Sequence, residues 1–301
     1  MDHRLKGCGL WTVDRRLKKI IPMRSFLSLF LLCIAVAFLT AGAPPKRAPK
    51  VNWKKVKVLV YTKNGKGYVH ENVPYAAKSI QQLGEQNGFQ VEVSDDPAVF
   101  TQEKLKDFTL LIFPSTNNDV FDTDAQRVAF RRYIEAGGGF VGLHSVTGTE
   151  RNWTWFKMMV GGSFSWHAKF QTFKIKKIDP SHPSVKGVPA LWEKGDECYF
   201  AKELYPGIRT LMAHELSSIN PKEAEKVKNA AGSFGNYYPA VWYQHFDGGN
   251  IWVTTLGHDK KDYQDPTYLS HVLEGIRFIA GQAQKLDYSK AYATSRDTPL
   301  P

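Results

Sequence analysis

Four histidines follow predicted β-strands at the points where those strands end, and this shared placement is the clearest chemical signal in the sequence. They are His70, His144, His167 and His258. In an open α/β sheet, ligands bind just beyond the carboxyl ends of the strands. A neutral imidazole is both the commonest metal ligand and a general base near neutral pH. We therefore expect a histidine-rich pocket at this edge of the sheet.

None of the four histidines has a tight local signature. The sequence contains no His-Glu-x-x-His and no Cys-x-x-Cys motif. Each histidine taken alone is equally well explained by a structural or a solvent-exposed position. The prediction therefore rests on their joint placement, and the sequence leaves open which of them contact a ligand.

The segment Gly142-Leu143-His144-Ser145 follows a predicted strand, where a sharp turn can expose a nucleophile beside backbone N–H groups. Covalent acyl transfer needs Cys or Ser in the turn itself. The turn position is occupied by His144, and Ser145 comes one place later. The sequence therefore does not support acyl transfer, and the glycines before His144 are also explained as residues that permit the bend.

Two adjacent carboxylates, Asp196 and Glu197, could act as acid or base or could orient a histidine. Adjacent residues on a strand point to opposite faces of the sheet, so only one of them can face a given site. We expect that residue to be Glu197. Trp242 is a candidate for an aromatic wall against a sugar, although core packing explains a tryptophan equally well.

The elements that must position these residues are short strands and amphipathic helices. In the first half, apolar runs at 56–61, 89–93, 108–114 and 140–143 alternate with helical patterns, which is typical of βαβ units and a parallel sheet. One helix begins near Pro74, and another follows the capping-box pair Thr123 and Gln126. In the second half, hairpin-like runs predict antiparallel strands at 171–178, 197–202, 208–214, 240–246 and 251–256. A final helix follows Asp265-Pro266.

The first 43 residues have the pattern of a signal peptide, with Met23 as an alternative start. A basic residue, Arg24, precedes an almost wholly apolar run over residues 25–43, which ends in the small residues Ala41-Gly42-Ala43. We expect cleavage after Ala43 and export to the periplasm or the extracellular space. A membrane anchor through residues 25–43 is the alternative, although that run is at the short end of what spans a bilayer.

The remaining boundaries follow from composition. Residues 44–55 are a predicted basic, Pro-rich linker, residues 56–283 the folded domain, and residues 284–301 a polar tail. Of the net charge of +11, +8 lies in residues 1–50, so the domain itself has an ordinary charge. This distribution, and the absence of any nucleic-acid-binding motif, argue against a nucleic-acid partner.

Cys198 is the single cysteine that remains once the signal segment is removed, which excludes an intramolecular disulfide. A lone cysteine can be a nucleophile, but a small buried apolar residue beside Tyr199 and Phe200 is the simpler interpretation.

In combination and in order, seven segments resemble the ThuA-like family, named for trehalose utilisation. The resemblance covers about residues 56–281 and implies a carbohydrate-related role. The segments are the first strand Lys-Val-Leu-Val-Tyr-Thr-Lys leading to Tyr68-Val-His70-Glu71; Gly-Gly-Gly-Phe-Val-Gly-Leu-His144-Ser145; Gly161-Gly162-x-Phe164-x-x-His167; Asp179-x-x-His182-Pro183; Asp196-Glu197-x-Tyr199; Pro239-x-x-Trp242; and Leu256-Gly257-His258.

The resemblance implies an α/β fold with a mostly parallel, flavodoxin-like or glutamine amidotransferase-like sheet. Helices lie on both faces, and antiparallel strands are added in the C-terminal half. At the position of the amidotransferase nucleophile this sequence has His144, so an active glutamine amidotransferase is not expected. The positions that match the family imply a site, which we divide into catalytic residues His144, Glu197 and His167; substrate-binding residues Trp242, Tyr199 and Ser145; and metal ligands His70 and His258.

Two functions of different classes are compatible with these residues. The first is an exported enzyme of carbohydrate catabolism that acts on a small sugar or glycoside, trehalose-like or a 3-keto-glycoside, by hydrolase or lyase chemistry with a zinc-like divalent metal. The second is a non-catalytic module whose degenerate pocket binds a sugar or docks a partner protein. Fold alone does not distinguish them, because one fold hosts many chemistries.

Overall fold

The structure, a computed structural model, describes residues 50–301 of the chain. The predicted signal segment and the first part of the predicted linker lie outside the described residues. Within residues 50–301, no helix is long and apolar enough to cross a membrane.

Eleven strands and six α-helices are found among the described residues. The strands are β1 Lys57–Tyr61, β2 Gln90–Ser94, β3 Leu110–Pro114, β4 Gly139–Leu143, β5 Gly162–His167, β6 Gln171–Lys177, β7 Leu191–Asp196, β8 Tyr199–Leu204, β9 Arg209–Glu215, β10 Tyr237–Phe246 and β11 Gly249–Thr254. The helices are α1 Val73–Asn87, α2 Gln102–Leu105, α3 Asp124–Glu135, α4 Thr154–Val160, α5 Ala224–Ala231 and α6 Pro266–Gln282.

Nine of these strands form one sheet in the order β2-β1-β3-β4-β11-β10-β9-β6-β7, and β5 pairs with β8 separately. The pairings from β2 through β11 are parallel, and those from β11 to β7 are antiparallel. The predicted fold class is therefore confirmed, with a parallel half and an added antiparallel half.

Alternating strand residues build two apolar layers, one on each face of the sheet. Val58 and Val60 of β1 belong to the layer that includes Ile80 of α1 and Ile276 of α6. The intervening strand residues belong to the other layer, which includes Phe130 of α3. Because both faces are covered by helices, the central strands are apolar throughout, as in other parallel sheets.

The helix boundaries follow from local signals in the sequence. Gly88 ends α1 in the left-handed conformation with φ of 85°, which glycine adopts at low cost. The capping box of Thr123 and Gln126 is present at the start of α3. Asp265 caps α6 through the backbone N–H of Tyr268, as its position before Pro266 predicts.

Five elements differ from the sequence-based expectation. The helices α2 and α4, of four and seven residues, were not predicted, and neither were the strands β5 and β7. Residues 220–236, to which the sequence analysis assigns no element, contain helix α5, which buries only Val227 and Ala231. So narrow an apolar stripe is too weak a periodic signal to predict a helix.

The antiparallel half of the sheet curls. Strand β7 is four places from β11, which in a flat sheet would separate them by about 19 Å. Asp196 at the end of β7 nevertheless accepts a hydrogen bond from the backbone N–H of Gly257, just after β11, at 2.8 Å. The pairing of β10 with β9 shifts register twice, between Pro239 and Val241 and between Val241 and Trp242. Bulges of this kind bend and twist a strand, and we attribute the curl to them.

The predicted polar tail, residues 284–301, packs against α3. The buried Arg131 donates to the carbonyl oxygen of Arg296 at 3.1 Å. The carboxylate of Glu135 accepts the backbone N–H groups of Tyr292 at 2.9 Å and Ala293 at 3.0 Å. The last residues of the chain are thus held by buried charged groups of the domain.

Three buried histidines outside the predicted pocket are expected to make stability depend on pH. Burial lowers the pKa of His182 and His214 to about 4 and that of His271 to about 3. The unfolded value is about 6.5, so the unfolded chain takes up these protons first and stability falls as the pH falls from about 6.5 towards 4. At pH 5 the expected loss is about 2 kcal/mol for each such histidine.

A His182→Asn variant tests this expectation at one position. Asparagine keeps an acceptor for the backbone N–H of Ser184, which His182 caps. Between about pH 7.5 and 5, the variant should lose about 2 kcal/mol less unfolding free energy than the wild type in denaturant titrations. His245→Asn, at an exposed position, is the matched control. An unchanged pH dependence in His182→Asn would contradict the assignment.

Candidate functional site

The carboxyl ends of β1, β4, β11 and β7 lie at the same edge of the sheet. His70 lies in the loop after β1, His144 directly after β4, His258 shortly after β11, and Glu197 directly after β7. The first three strands are parallel, and β7 runs in the same direction because an even number of antiparallel pairings separates it from β11. The topology and the curl together bring these four residues into one cluster.

His144 occupies the sharp turn after β4. Its φ is 51°, in the left-handed region that favours glycine, and such strain concentrates at functional sites. Gly142 is required beneath the turn, because an added Cβ would lie 2.6 Å from Cγ1 of Val146. The backbone therefore fixes the direction of the His144 side chain.

The protonation of the buried His144 ring is set by a backbone carbonyl. Nδ1 lies 3.1 Å from the carbonyl oxygen of Thr255, which can only accept, so Nδ1 carries the proton. The other nitrogen, Nε2, is left with a lone pair. Burial, reinforced by the neighbouring His70 and His258, holds the pKa of His144 well below its usual range.

His70 is oriented in the same way by a hydroxyl. Ser145 Oγ lies 3.2 Å from His70 Nδ1 and 3.1 Å from the carbonyl oxygen of Thr116. The single hydroxyl proton is donated to that carbonyl, so Ser145 accepts the Nδ1–H of His70. Nε2 of His70 is therefore also unprotonated. Burial lowers the pKa of His70 to about 4, and the ring is neutral near pH 7.

Glu197 and His258 complete the cluster. Glu197 Oε2 lies 3.1 Å from His258 Nδ1 and 3.8 Å from His144 Nε2. The two ring nitrogens of His258 and His144 are 3.2 Å apart. Burial lowers the pKa of His258, but the hydrogen bond and the negative charge of Glu197 outweigh burial and raise it overall.

The donor atoms of this four-residue group meet the requirements of a metal site. The donors of His70, His144, Glu197 and His258 all lie within 4.8 Å of one another. Four ligands at about 2.0–2.1 Å from a tetrahedral cation lie about 3.3 Å apart, and the nearest contacts in the group are 3.1–3.8 Å. Two imidazoles present lone pairs because their protons are bound elsewhere, as occurs in metal-binding histidines. The group could therefore hold a metal ion.

Tyr199 and His167 lie beside the four-residue group. The hydroxyl of Tyr199 is 3.0 Å from His144 Nε2 and 3.4 Å from His70 Nε2. Burial, together with the charge of Glu197, raises the pKa of Tyr199, so its hydroxyl stays protonated and able to donate. His167 Nδ1 lies 3.4 Å from Glu197 Oε1, and 37% of its side chain is exposed.

A pocket of about 410 Å³ opens onto these side chains. Its lining is Tyr68, His70, Asn117, Ser145, Gly148, Arg151, Phe164, His167, Glu197, Tyr199 and His258. Tyr68 and Phe164 occur in motif segments of the sequence but were not assigned to the predicted site. Asn117, Gly148 and Arg151 belong to no motif that the sequence analysis identified.

A second cavity, of about 280 Å³, adjoins the first through Tyr68, His70 and His258. Phe170 lines it, and this ring lies 5.8 Å from that of His258. Tyr68 is 62% exposed and Phe170 48% exposed. Two large aromatic side chains thus remain open to solvent at the mouth of a polar pocket.

Two side chains considered in the sequence lie elsewhere. Trp242, expected to contact substrate, is buried in an apolar layer and donates its indole N–H to the carbonyl oxygen of Val160 at 2.9 Å. It does not line the pocket, because the bulge in β10 directs it into the core. Cys198 is fully buried, and burial raises the pKa of its thiol well above the usual range, so a nucleophilic thiolate is not expected.

The arrangement provides acid and base groups around a site for a cation. Glu197 and His167 can accept protons, the Tyr199 hydroxyl can donate a hydrogen bond, and the pocket has space for a small ligand. His144 occupies the sharp turn position after β4, and the hydroxyl of the following Ser145 contacts His70 and the carbonyl oxygen of Thr116, so Ser145 is not placed as an acyl-transfer nucleophile.

Comparisons with known proteins agree with this fold. The family model ThuA, described as trehalose utilisation, matches residues 57–279. A ThuA-like protein from Bacteroides uniformis ATCC 8492 has a similar structure, with a TM-score of 0.60 and 22% identity over 79% of this chain and 94% of the other. A ThuA-like protein from Parabacteroides merdae ATCC 43184 has a TM-score of 0.58 and 20% identity, over 75% and 90% of the two chains. No curated protein sequence matches the chain.

Proposed function

Because the chain belongs to the ThuA family of trehalose utilisation, we propose that it is an enzyme acting on a sugar or glycoside in the histidine-rich pocket. The substrate class is a trehalose-like disaccharide or a 3-keto-glycoside, and the reaction is hydrolysis or elimination. A zinc-like divalent cation would be held by His70, His144, Glu197 and His258.

One observation carries this proposal: unprotonated ring nitrogens and a carboxylate oxygen converge on one point. The Nδ1 protons of His70 and His144 are held by Ser145 and by the Thr255 carbonyl. The Tyr199 hydroxyl has one proton, which it can donate to only one of these two ring nitrogens. The other lone pair then faces the buried carboxylate, which favours a proton or a cation between them. A divalent cation satisfies all four donors at once, which a proton cannot do.

The roles of the remaining side chains follow from their positions. A bound cation would polarise a sugar carbonyl or hydroxyl oxygen as a Lewis acid. Tyr199 stays protonated and donates a hydrogen bond to negative charge that develops on an oxygen beside it. His167 lies near Glu197 Oε1, lines the pocket and is partly exposed, so it is placed to accept a proton from a substrate C–H or O–H group.

The pocket walls support a sugar as the ligand. The exposed rings of Tyr68 and Phe170 offer apolar faces at the mouth, where the C–H face of a sugar ring can pack. Arg151 and Asn117 lie on the wall and are fixed to each other by a 3.0 Å hydrogen bond. The N–H groups that Arg151 has left over can donate to sugar hydroxyls.

Replacing the two exposed rings should weaken substrate binding without altering the chemical step. In a Tyr68→Ala, Phe170→Ala double variant we expect KM to rise about tenfold, since each ring contact is worth about 0.5–1.5 kcal/mol, while kcat changes little. Phe234→Ala removes a similarly exposed ring that lines neither cavity and is the control. Equal KM values in wild type and double variant would exclude the rings from the binding surface.

The proposed function is tested by metal content and turnover of the protein purified without chelator. We expect one equivalent of a divalent metal by elemental analysis, and turnover of trehalose or of a 3-keto-glycoside that chelator abolishes and added Zn²⁺ restores. A metal-free wild type would refute the metal-dependent mechanism. Bound metal and sugar with no turnover would favour the alternative, a non-catalytic sugar-binding module.

Export is part of the proposal and rests on the apolar run and small residues of the first 43 positions. The intact mass and N-terminal sequence of the protein recovered from its native host test it. A chain that begins at Pro44 supports export with cleavage after Ala43, and an uncleaved chain held in the membrane supports the anchor.

A further inference from the structure

Asp196 lies beneath the pocket and accepts backbone N–H groups from the two segments that carry Glu197 and His258. Its Oδ1 accepts the N–H of Glu197 at 2.9 Å and the N–H of His258 at 3.2 Å. Its Oδ2 accepts the N–H of Gly257 at 2.8 Å. The carboxylate is fully buried and does not line the pocket, so it cannot contact the substrate.

We propose that Asp196 is a positioning residue, whose carboxylate ties the end of β7 to the loop after β11 and so fixes the spacing between the Glu197 carboxylate and the His258 ring. The inference rests on the proposed function, because it concerns the same site. It gives a role to Asp196, the carboxylate that the sequence analysis did not select for the site.

The loop that carries His258 has other partners for its carbonyl oxygens. Asn72 donates to the carbonyl of Gly257 at 2.7 Å, Tyr263 donates to the same oxygen at 3.1 Å, and Tyr268 donates to the carbonyl of Leu256 at 3.0 Å. The N–H groups of residues 257 and 258, in contrast, have Asp196 as their partner among the described residues. The Asp196 carboxylate therefore supplies the acceptors for these two N–H groups, which the surrounding side chains do not.

The loop cannot be replaced by an ordinary turn. Gly257 has φ of 109°, and an added Cβ would lie 1.9 Å from the hydroxyl oxygen of Tyr268. At Gly257 the backbone therefore leaves no room for a side chain, and the Gly257 N–H group points at Asp196. Such close packing is expected where the position of the next residue, His258, has to be exact to a fraction of an ångström.

A buried cation compensates the charge of this carboxylate. Lys194, on the same strand, places Nζ 3.1 Å from Asp196 Oδ2 and also contacts the carboxylate of Asp262. A buried carboxylate needs both a counter-charge and hydrogen-bond donors. With Lys194 and three N–H groups, Asp196 has both.

An Asp196→Asn variant is the informative change, because it is isosteric and removes acceptor capacity. If the amide NH₂ takes the place of Oδ1, it faces the N–H groups of Glu197 and His258. If it takes the place of Oδ2, it faces the N–H of Gly257 and the ammonium of Lys194. Either orientation sets a donor against a donor, so at least one connection is lost.

The experiment measures backbone exchange and metal affinity separately. Amide hydrogen exchange at Gly257 and His258 in the metal-free protein should be at least tenfold faster in Asp196→Asn than in the wild type. The Kd for Co²⁺, followed by its visible absorption, should rise about 10- to 100-fold, as is typical when a group that orients a metal ligand is removed. Asp262→Asn, which alters Lys194 but none of the three N–H contacts, is the matched control and should leave exchange unchanged.

The outcomes distinguish this inference from the proposed function. If the wild type binds no metal but its amide exchange at residues 257 and 258 accelerates in Asp196→Asn, the metal mechanism fails and the connection stands. Unchanged exchange and unchanged Kd in a folded variant would overturn the inference. Should the variant not fold, the wild type alone decides: fast exchange of these two amides, at the rate of exposed loop residues, would also overturn it.

Discussion

Replacing His70 and His258 together by alanine is expected to abolish stoichiometric metal binding. The two residues come from different loops and supply two of the four donors that lie within 4.8 Å of one another. A structural zinc site of four ligands is worth about 10–16 kcal/mol, so the loss of two ligands should weaken binding by at least about 10³-fold. Elemental analysis after dialysis measures the metal that remains, and activity should be lost with it.

The interpretation requires that the double variant stay folded. His70 and His258 lie at the pocket rather than in the apolar layers, so circular dichroism should match that of the wild type. His245→Ala removes an exposed histidine and controls for non-specific metal binding. A folded double variant that retains one equivalent of metal would place the metal elsewhere and would refute the assignment of these ligands.

Deleting residues 287–301 is expected to reduce the free energy of unfolding by about 3–5 kcal/mol. Hydrogen bonds to charged groups contribute about 1.5–3 kcal/mol each, and water that enters after the deletion compensates for part of the loss. The deletion removes the Tyr292 and Ala293 N–H donors of Glu135 and the carbonyl acceptor of Arg131 at Arg296. Urea titration measures the loss directly. The melting temperature should fall by roughly 10 °C.

A shorter deletion, of Leu300 and Pro301 only, is the control, because both residues are exposed. It should leave the unfolding curve within error of the wild type. If the long deletion is equally harmless, the contacts of Arg131 and Glu135 with the C-terminal segment contribute no stability in solution. The segment would then be the polar tail that its composition predicts.

The fold was predictable because its signals are local and repeated. The apolar runs of β1, β3 and β4 are buried on both faces. Each helix that covers them has one boundary signal in the sequence, which is Gly88 at the end of α1, the capping box at the start of α3, and Asp265 before α6. The strands of the antiparallel half are less regular. The strand β7 alternates over only a few residues and ends in charged ones, so periodicity could not identify it.

The site was predictable in part for a different reason. Parallel strands end at one edge, so His70, His144 and His258 were expected together without any contact being known. Glu197 joins these histidines because the sheet curls and brings the end of β7 back to the loop after β11. This curl could not be predicted from the sequence. Arg151 and Asn117 could not be identified, since their pairing across the pocket wall is a matter of tertiary structure alone.

The late position of β11 in the chain has a consequence for the order in which the molecule forms. The four candidate ligands extend from residue 70 to residue 258, and the last of them comes into place only after the hairpin of β10 and β11 has paired with β4. Loop-closure entropy delays contacts between residues so distant in the chain. A nascent chain still lacking its last fifty residues therefore lacks His258, and the four-residue group is assembled only in a chain that has completed its fold.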